Sequence, residues 1–341
     1  MNLYISELTN GHIIAQDVFN SYGLHVLASG TIVNSEVLSM LIKHNIDYIE
    51  VHEKKEESWK KTIEQNFYHF ESSIEKIKTI FERVQHKKKF SEYEISEGFI
   101  PFIESIKAEK DIVALLLMLN NKDNYTYLHC VHVGMISYYI AKWINMSEEE
   151  AIYIGKAGYL HDIGKSNINN ELLNKPSKLN ENEYNQIKKH TILGCEIIRS
   201  NIGNEDFAST ALQHHERLDG SGYPFGLLDS EIHPIAKIVA IADIYSAMIT
   251  TRVYQKKRDL FSVLKEIHSI SFTGLDAQIT QRFIENMLPS FLGKKALFSN
   301  GQVGIIIRIN PFDYFHPLVQ IGTDFVDLSN QNFLEIEEIY I

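Results

Sequence analysis

Five histidines and two aspartates set the chemistry this chain can do: His129, His161, Asp162, His190, His214, His215 and Asp243. Each lies in or beside a stretch whose apolar residues recur at helical spacing, and a charge buried there needs a partner or a metal. His161 and Asp162 are adjacent. On a helix they point about 100° apart, so neither supports the other, yet both can reach an ion held between helices. An Asp can bridge two ions with its two oxygens. Asp243 lies inside Ile238-Val239-Ala240-Ile241-Ala242-Asp243-Ile244, where an unpaired carboxylate is costly. His214 and His215 offer two imidazoles from the end of a helix. The loop after them carries Gly220, Gly222 and Gly226 and can turn sharply against a metal or ligand. Lys165 adds a cation one turn beyond His161. Nitrogen and oxygen donors without thiolate suit manganese or iron better than zinc. The other histidines, among them His12 and His268, read as surface or local structural residues, while His132 lies one turn from His129 on a more ambiguous face.

The elements that must hold these residues are mostly helical. Residues 96–290 read as nearly all helix. Ile100 to Leu119 is one apolar helix with Pro101 in its first turn, and Tyr127 to Ile144 is another. Ser147 with Glu150 and Asn180 with Glu183 are capping-box pairs that open two more, the second leading to His190. Pro234 to Met248 is strongly apolar and central to the core. Asp259 is expected to cap the next helix, and Ala277 to Leu288 is the last.

Around this body the pattern changes. Residues 1–55 read as a small α+β module, with short strands at Ile13-Ile14 and Val26-Leu27, a helix from Ser35 and a closing strand from Ile46 to Val51. Residues 56–95 form a helical linker. In it Ile63, Phe67, Phe70, Ile74, Ile77, Phe81 and Val84 alternate spacings of four and three, a heptad seam able to support a homodimer through helix 63–84 or packing within the chain. Residues 291–341 read as a β-rich extension packed on the helical body. Its strands run from Val303 to Ile309, Leu318 to Ile321 and Phe325 to Leu328, with an Asn300-Gly301 turn. The fold class is therefore multidomain: an all-α domain, a small N-terminal α+β module and a short C-terminal sheet.

Composition narrows the function. A chain of 341 residues has room for about two domains and a third small one. Lys and Arg total 33 against 44 Asp and Glu, for a net charge of -11, which argues against a partner that is a nucleic-acid polymer. The two cysteines, Cys130 and Cys195, exclude a disulfide scaffold or a thiolate zinc cluster. Met1 to Leu8 lacks a signal-peptide pattern, and the densest apolar run, the eight residues Ile112 to Leu119, is too short for a bilayer. A cytoplasmic protein without a membrane partner is expected.

Two of these segments carry a family resemblance. His161-Asp162-Ile163-Gly164-Lys165 and His214-His215-Glu216-Arg217-Leu218-Asp219-Gly220-Ser221-Gly222-Tyr223-Pro224 resemble the HD-GYP branch of the HD phosphohydrolase superfamily. Tyr125-Thr126-Tyr127-Leu128-His129, Lys189-His190 with Gly194, and Ala242-Asp243-Ile244-Tyr245-Ser246-Ala247 with Thr251-Arg252-Val253-Tyr254 resemble its remaining motifs. The match spans about residues 110–290. The stretch from Leu8 to Val18 resembles a small accessory module found before such domains.

The resemblance implies an HD-type catalytic domain that hydrolyses cyclic di-GMP to pGpG, and in some members to GMP, with a water activated by two metal ions. His129, His161, Asp162 and Asp243 would hold one ion. Asp162 would bridge to the second, held also by His190, His214 and His215. Asp162 and Lys165 are the catalytic candidates. Lys165, Arg252 and the Gly222-Tyr223-Pro224 loop would contact substrate, and the loop is also linked in this family to diguanylate cyclase domains. Tyr125 stands where some members place a glutamate for a third metal, so two ions are expected, iron or manganese. Ser246 stands where many members carry a second aspartate. Two competing readings are an HD hydrolase for another cyclic dinucleotide and a non-enzymatic cyclic-dinucleotide sensor or interaction module.

Overall fold

The computed structural model describes residues 2–8, 12–23, 25–44, 46–52, 56–109, 111–119, 125–173, 175, 177–249, 260–330 and 334–340. The chain divides into two compact units, Met1–Tyr68 and His69–Ile341.

In the first unit, β1 (Asn2–Tyr4) and β2 (Ile13–Ile14) flank β5 (Tyr48–His52) in an antiparallel sheet of order β1-β5-β2. β3 (Val18–Phe19) and β4 (His25–Leu27) form a separate antiparallel pair. Between them and β5 lies α1 (Ser35–Lys43), opened by Asn34, whose side chain accepts from the Val37 amide. The alternating burial of β5 puts Ile49 and Val51 into a small core with Ile14, Val33 and Leu41.

The helix α2 (Glu56–Gln85) carries the heptad seam. Phe70, Ile74, Ile77, Phe81 and Val84 are all buried in the core of the second unit, so this part of the seam packs within the chain. α3 (Glu92–Ile106) and α4 (Ile112–Met118) replace the single helix expected from Ile100. The reason is a capping box: Ser91 accepts from the Glu94 amide and Glu94 reaches back, starting α3 eight residues before Ile100. Pro101 therefore sits in the helix interior, on the exposed face, and not in the first turn.

The centre is α5 (Tyr125–Trp143), in which every residue from Leu128 to Ala141 is buried. A helix apolar on all sides must be surrounded, and α5 packs on α6 (Glu148–Leu160) and on α11 (Pro234–Ile249). A 3-10 segment, Ile163–Asn167, follows α6 and leads to α7 (Asn170–Leu173), α8 (Glu181–Lys188), α9 (His190–Ile202) and α10 (Glu205–Gln213). The capping boxes at Ser147-Glu150 and Asn180-Glu183 form as the sequence predicts. After α11 come α12 (Leu260–Ile270) and α13 (Ala277–Met287); the expected cap Asp259 lies outside the described residues.

The C-terminal sheet is antiparallel, in the order β10-β6-β7-β8-β9. It comprises β6 (Lys295–Phe298), β7 (Val303–Asn310), β8 (Asp313–Ile321), β9 (Asp324–Asp327) and β10 (Ile336–Tyr340). Phe298, Ile306, Phe315 and Val319 from it join the same core cluster as the helices. Among the described residues, no helix is long and apolar enough to cross a membrane.

Candidate metal centre

The seven residues reach the same place from five parts of the fold. His129 comes from α5 and Asp243 from α11. His161 and Asp162 come from the turn that ends α6, His190 opens α9, and His214 and His215 follow α10. Two groups result. His129, His161 and Asp243 have ligand atoms within 4.8 Å of one another, and so do His190, His214 and His215; a further set, His161, Asp162 and His214, meets the same limit and joins them.

Asp162 lies between them and divides its oxygens. Oδ2 is 3.4 Å from His161 Nε2, 3.7 Å from His129 Nε2 and paired with the Lys165 ammonium. Oδ1 is 3.3 Å from His190 Nε2 and 3.8 Å from His214 Nε2. Asp243 also divides, with Oδ1 2.9 Å from His129 Nε2 and Oδ2 3.5 Å from His215 Nδ1.

The outer nitrogens decide which inner atoms are free to act as ligands. His161 Nδ1 donates to the Gly158 carbonyl at 2.7 Å, His190 Nδ1 to that of Ile187 at 2.6 Å, and His214 Nδ1 to that of Ala211 at 2.9 Å. A carbonyl only accepts, so each Nδ1 carries a proton, and in the neutral ring each Nε2 presents a lone pair inward. His190 Nε2 and His214 Nε2 then face each other at 3.3 Å. Two lone pairs at that distance repel unless a cation lies between them. His161 Nε2 and Asp162 Oδ1 are buried, and neither has a hydrogen-bond partner among the described residues. The donor set thus fits divalent metal ions.

Electrostatics supports the same reading. Burial lowers His190 to about 4 and His215 to about 3 and drives His214 well down, so these imidazoles are neutral. Burial also favours the neutral acid at Asp162, but Lys165 and His161 outweigh it and hold the carboxyl well below the usual range. His129, His161 and His215 overcome burial in the same way at Asp243. His161 is the exception among the histidines: burial lowers it, yet Asp162 and Asp243 together raise it to about 9. Burial pushes the neighbouring Cys130 thiol well above its ordinary value, so it contributes no thiolate.

Of the other expected site residues, Lys165 lies at the centre. Gly222, Tyr223 and Pro224 lie in the loop beside His215, with the Tyr223 ring 4.6 Å from the His215 ring. Arg252 lies outside the described residues. Tyr125 lies nearly parallel to His129, with ring centroids 6.1 Å apart.

Two roles were not legible in the sequence. Glu216 is 2% exposed, and its carboxylate holds the loop by accepting from the amides of Phe225 at 2.8 Å and Leu227 at 3.0 Å. The signal for it was a carboxylate directly after two histidines, which reads equally well as a ligand. Ser246 Oγ is 2.9 Å from His129 Nδ1 and is fully buried. A hydroxyl can accept the Nδ1 proton or donate to Nδ1, and only the first leaves Nε2 free for a metal. Ser246→Ala is expected to weaken metal binding by the His129 group by about 10–100-fold and to leave the other group unchanged, as read by metal titration of the purified protein. Equal affinity in parent and variant would remove Ser246 from this role.

A family model described as HD domain matches residues 108–279, half of the chain. The chain belongs to the HD domain family. Among curated HD relatives, a cyclic di-GMP phosphodiesterase of Thermotoga maritima is 37% identical over 202 residues, covering 58% of this chain and 54% of the relative. A 3′3′-cGAMP-specific phosphodiesterase of Vibrio cholerae is 33% identical over 193 residues, covering 54% of this chain and 44% of the relative. A cyclic di-GMP phosphodiesterase of Pseudomonas aeruginosa is 27% identical over 224 residues, covering 64% and 52%. The chain spans about half the length of the curated relatives it matches. Among solved structures, an HDG"Y"P protein from Bdellovibrio bacteriovorus aligns with a TM-score of 0.52 at 18% identity, covering 83% of this chain and 97% of that one, a likeness of fold.

Proposed function

We propose that this HD-domain chain is a metal-dependent phosphodiesterase that opens a cyclic dinucleotide, with cyclic di-GMP as substrate and pGpG as first product. The observation that carries the reading is the division of Asp162 between two groups of inward-facing imidazoles. His129, His161, Asp162 and Asp243 would hold one divalent ion, and Asp162, His190, His214 and His215 the other, iron or manganese by donor type. When bound, such a pair supplies Lewis-acid stabilisation of phosphoryl charge and a more acidic water.

The chain's own residues do the rest. Lys165 keeps its ammonium beside Asp162 with its side chain 21% exposed, so a fixed positive charge is open to a non-bridging phosphate oxygen. Asp162, held ionised, is a poor proton donor to the leaving 3′ oxygen. Arg252 is the proposed second phosphate contact, through its guanidinium fork, and Tyr223 and Pro224 line the approach. Water adds across the phosphorus–oxygen bond, and the leaving ribose oxygen gains a proton.

The relatives' names make 3′3′-cGAMP the competing substrate. The test uses the full chain, purified anaerobically and loaded with Fe²⁺ or Mn²⁺, with both dinucleotides followed by chromatography. The expected result is faster conversion of cyclic di-GMP to pGpG, abolished by a chelator. Faster turnover of 3′3′-cGAMP would reassign the substrate. Binding without product by protein holding two ions would make the chain a sensor.

A further inference from the structure

The five imidazoles are not anchored alike. His161, His190 and His214 are fixed by backbone carbonyls and His129 by Ser246. The His215 imidazole has no such anchor among the described residues; its Nδ1 lies 3.5 Å from Asp243 Oδ2, a carboxylate that would itself be a ligand. The ring is also the least enclosed, its side chain 20% exposed where the other four are at most 4%. A ring held only through this long contact to a carboxylate is poorly ordered in advance, and binding must first fix it.

What lies against it is an aromatic stack. Tyr223 stacks on His215 with centroids 4.6 Å apart and planes 30° apart, and its amide donates to the His215 carbonyl at 3.2 Å. The loop returns this tightly because residue 222 is glycine: a Cβ there would strike the backbone of Glu216 and Arg217. Tyr223 is itself gripped. The Lys188 ammonium stands 5.1 Å from its ring centroid and 4.5 Å from that of Tyr184, one turn earlier on α8, and the Tyr184 and Tyr223 rings meet edge to face at 6.3 Å. Lys188 has no carboxylate partner among the described residues, so the two π-faces are its counter-charge. Glu216 holds the far limb of the loop.

We propose that Tyr223 is the positioning residue for His215, and that Lys188 holds Tyr223 in place, so that the loop's seating on α8 sets how tightly the His190–His214–His215 group holds its ion. The inference rests on the two-ion reading above and adds a structural dependence of one ion on the loop.

The test is Mn²⁺ titration of the full chain, with electron paramagnetic resonance to separate a coupled pair from a lone ion. The parent is expected to bind two ions per chain as a coupled pair. Tyr223→Leu is expected to lose about 10–100-fold in affinity for one ion only and to show the lone-ion spectrum at manganese concentrations that fill the parent. Tyr223→Phe, which keeps the ring, is expected to match the parent. Lys188→Met is expected to weaken the same ion several-fold, and it carries the test if Tyr223→Leu fails to fold. A parent holding fewer than two ions overturns the two-ion reading and this inference together. A two-ion parent whose Tyr223→Leu or Lys188→Met variant binds both ions unchanged overturns this inference alone.

Discussion

Asp162→Asn is expected to lose bound metal and turnover together. The substitution keeps the side chain's volume and removes its charge, so the result reads chemistry and not packing. Asp162 is fully buried and lies within 4 Å of two imidazoles from each group, whereas Asp243 reaches only His215 of the second. An asparagine has one acceptor oxygen in place of two, so at most one group keeps an oxygen donor at this position. Lys165 also loses the carboxylate it is paired with. A metal pair is worth several kcal/mol of transition-state stabilisation, and about 1.4 kcal/mol is tenfold in rate, so turnover is expected to fall by at least roughly 10³-fold. Elemental analysis and a product assay on the same preparation check it. An Asp162→Asn protein with two ions per chain and parental turnover would sink the proposed mechanism.

The site was legible because its residues break a local rule. Asp243 within an unbroken apolar helix and His161-Asp162 at the end of another are polar groups that folding buries, and burial without partners is too costly to leave unexplained. All seven converge in the structure. The body's helices were legible where side chains announce their own ends, as at Ser147-Glu150 and Asn180-Glu183. Other features are decided by tertiary contact. Pro101 reads as a helix start, yet it stands on the outer face of a helix that Ser91 had already begun. The sequence pattern suggests a strand only from Leu318 to Ile321. Yet β8 runs from Asp313, because its pairing with β7 slips beside Ile306 and Arg308, and a bulge there accommodates Pro317, a residue without an amide hydrogen. β6 and β10 pair across about forty residues of chain, beyond the reach of local pattern. The Tyr223–His215 stack and the Ser246–His129 contact join residues 8 and 117 positions apart, and no periodicity signals either one.

Gly164→Ala is the second large effect expected, and its cause is space alone. Gly164 follows Asp162 in the 3-10 segment, which packs on α9. A Cβ at Gly164 would run into the carbonyl oxygen of His190 and crowd the amide of Gly194, backbone atoms that cannot rotate away. Relief requires α9 to move off the segment, and His190 is the first residue of α9. The substitution therefore drives a wedge between the shared carboxylate and a histidine of the second group. Overpacking against side chains costs about 1–3 kcal/mol, and a backbone clash lies at or beyond the top of that range. For a unit of this size that lowers the melting temperature by roughly 5–10 °C, measured with chelator present so that metal does not contribute. The ion of the second group is expected to weaken as well. Gly194→Ala is the graded control: its Cβ would stand 3.3 Å from the Ala211 Cβ and 3.4 Å from the Gly164 amide, so it is expected to cost less. If the two alanine variants melted together at the parent temperature, the close approach of these backbones would not be what joins Asp162 to His190.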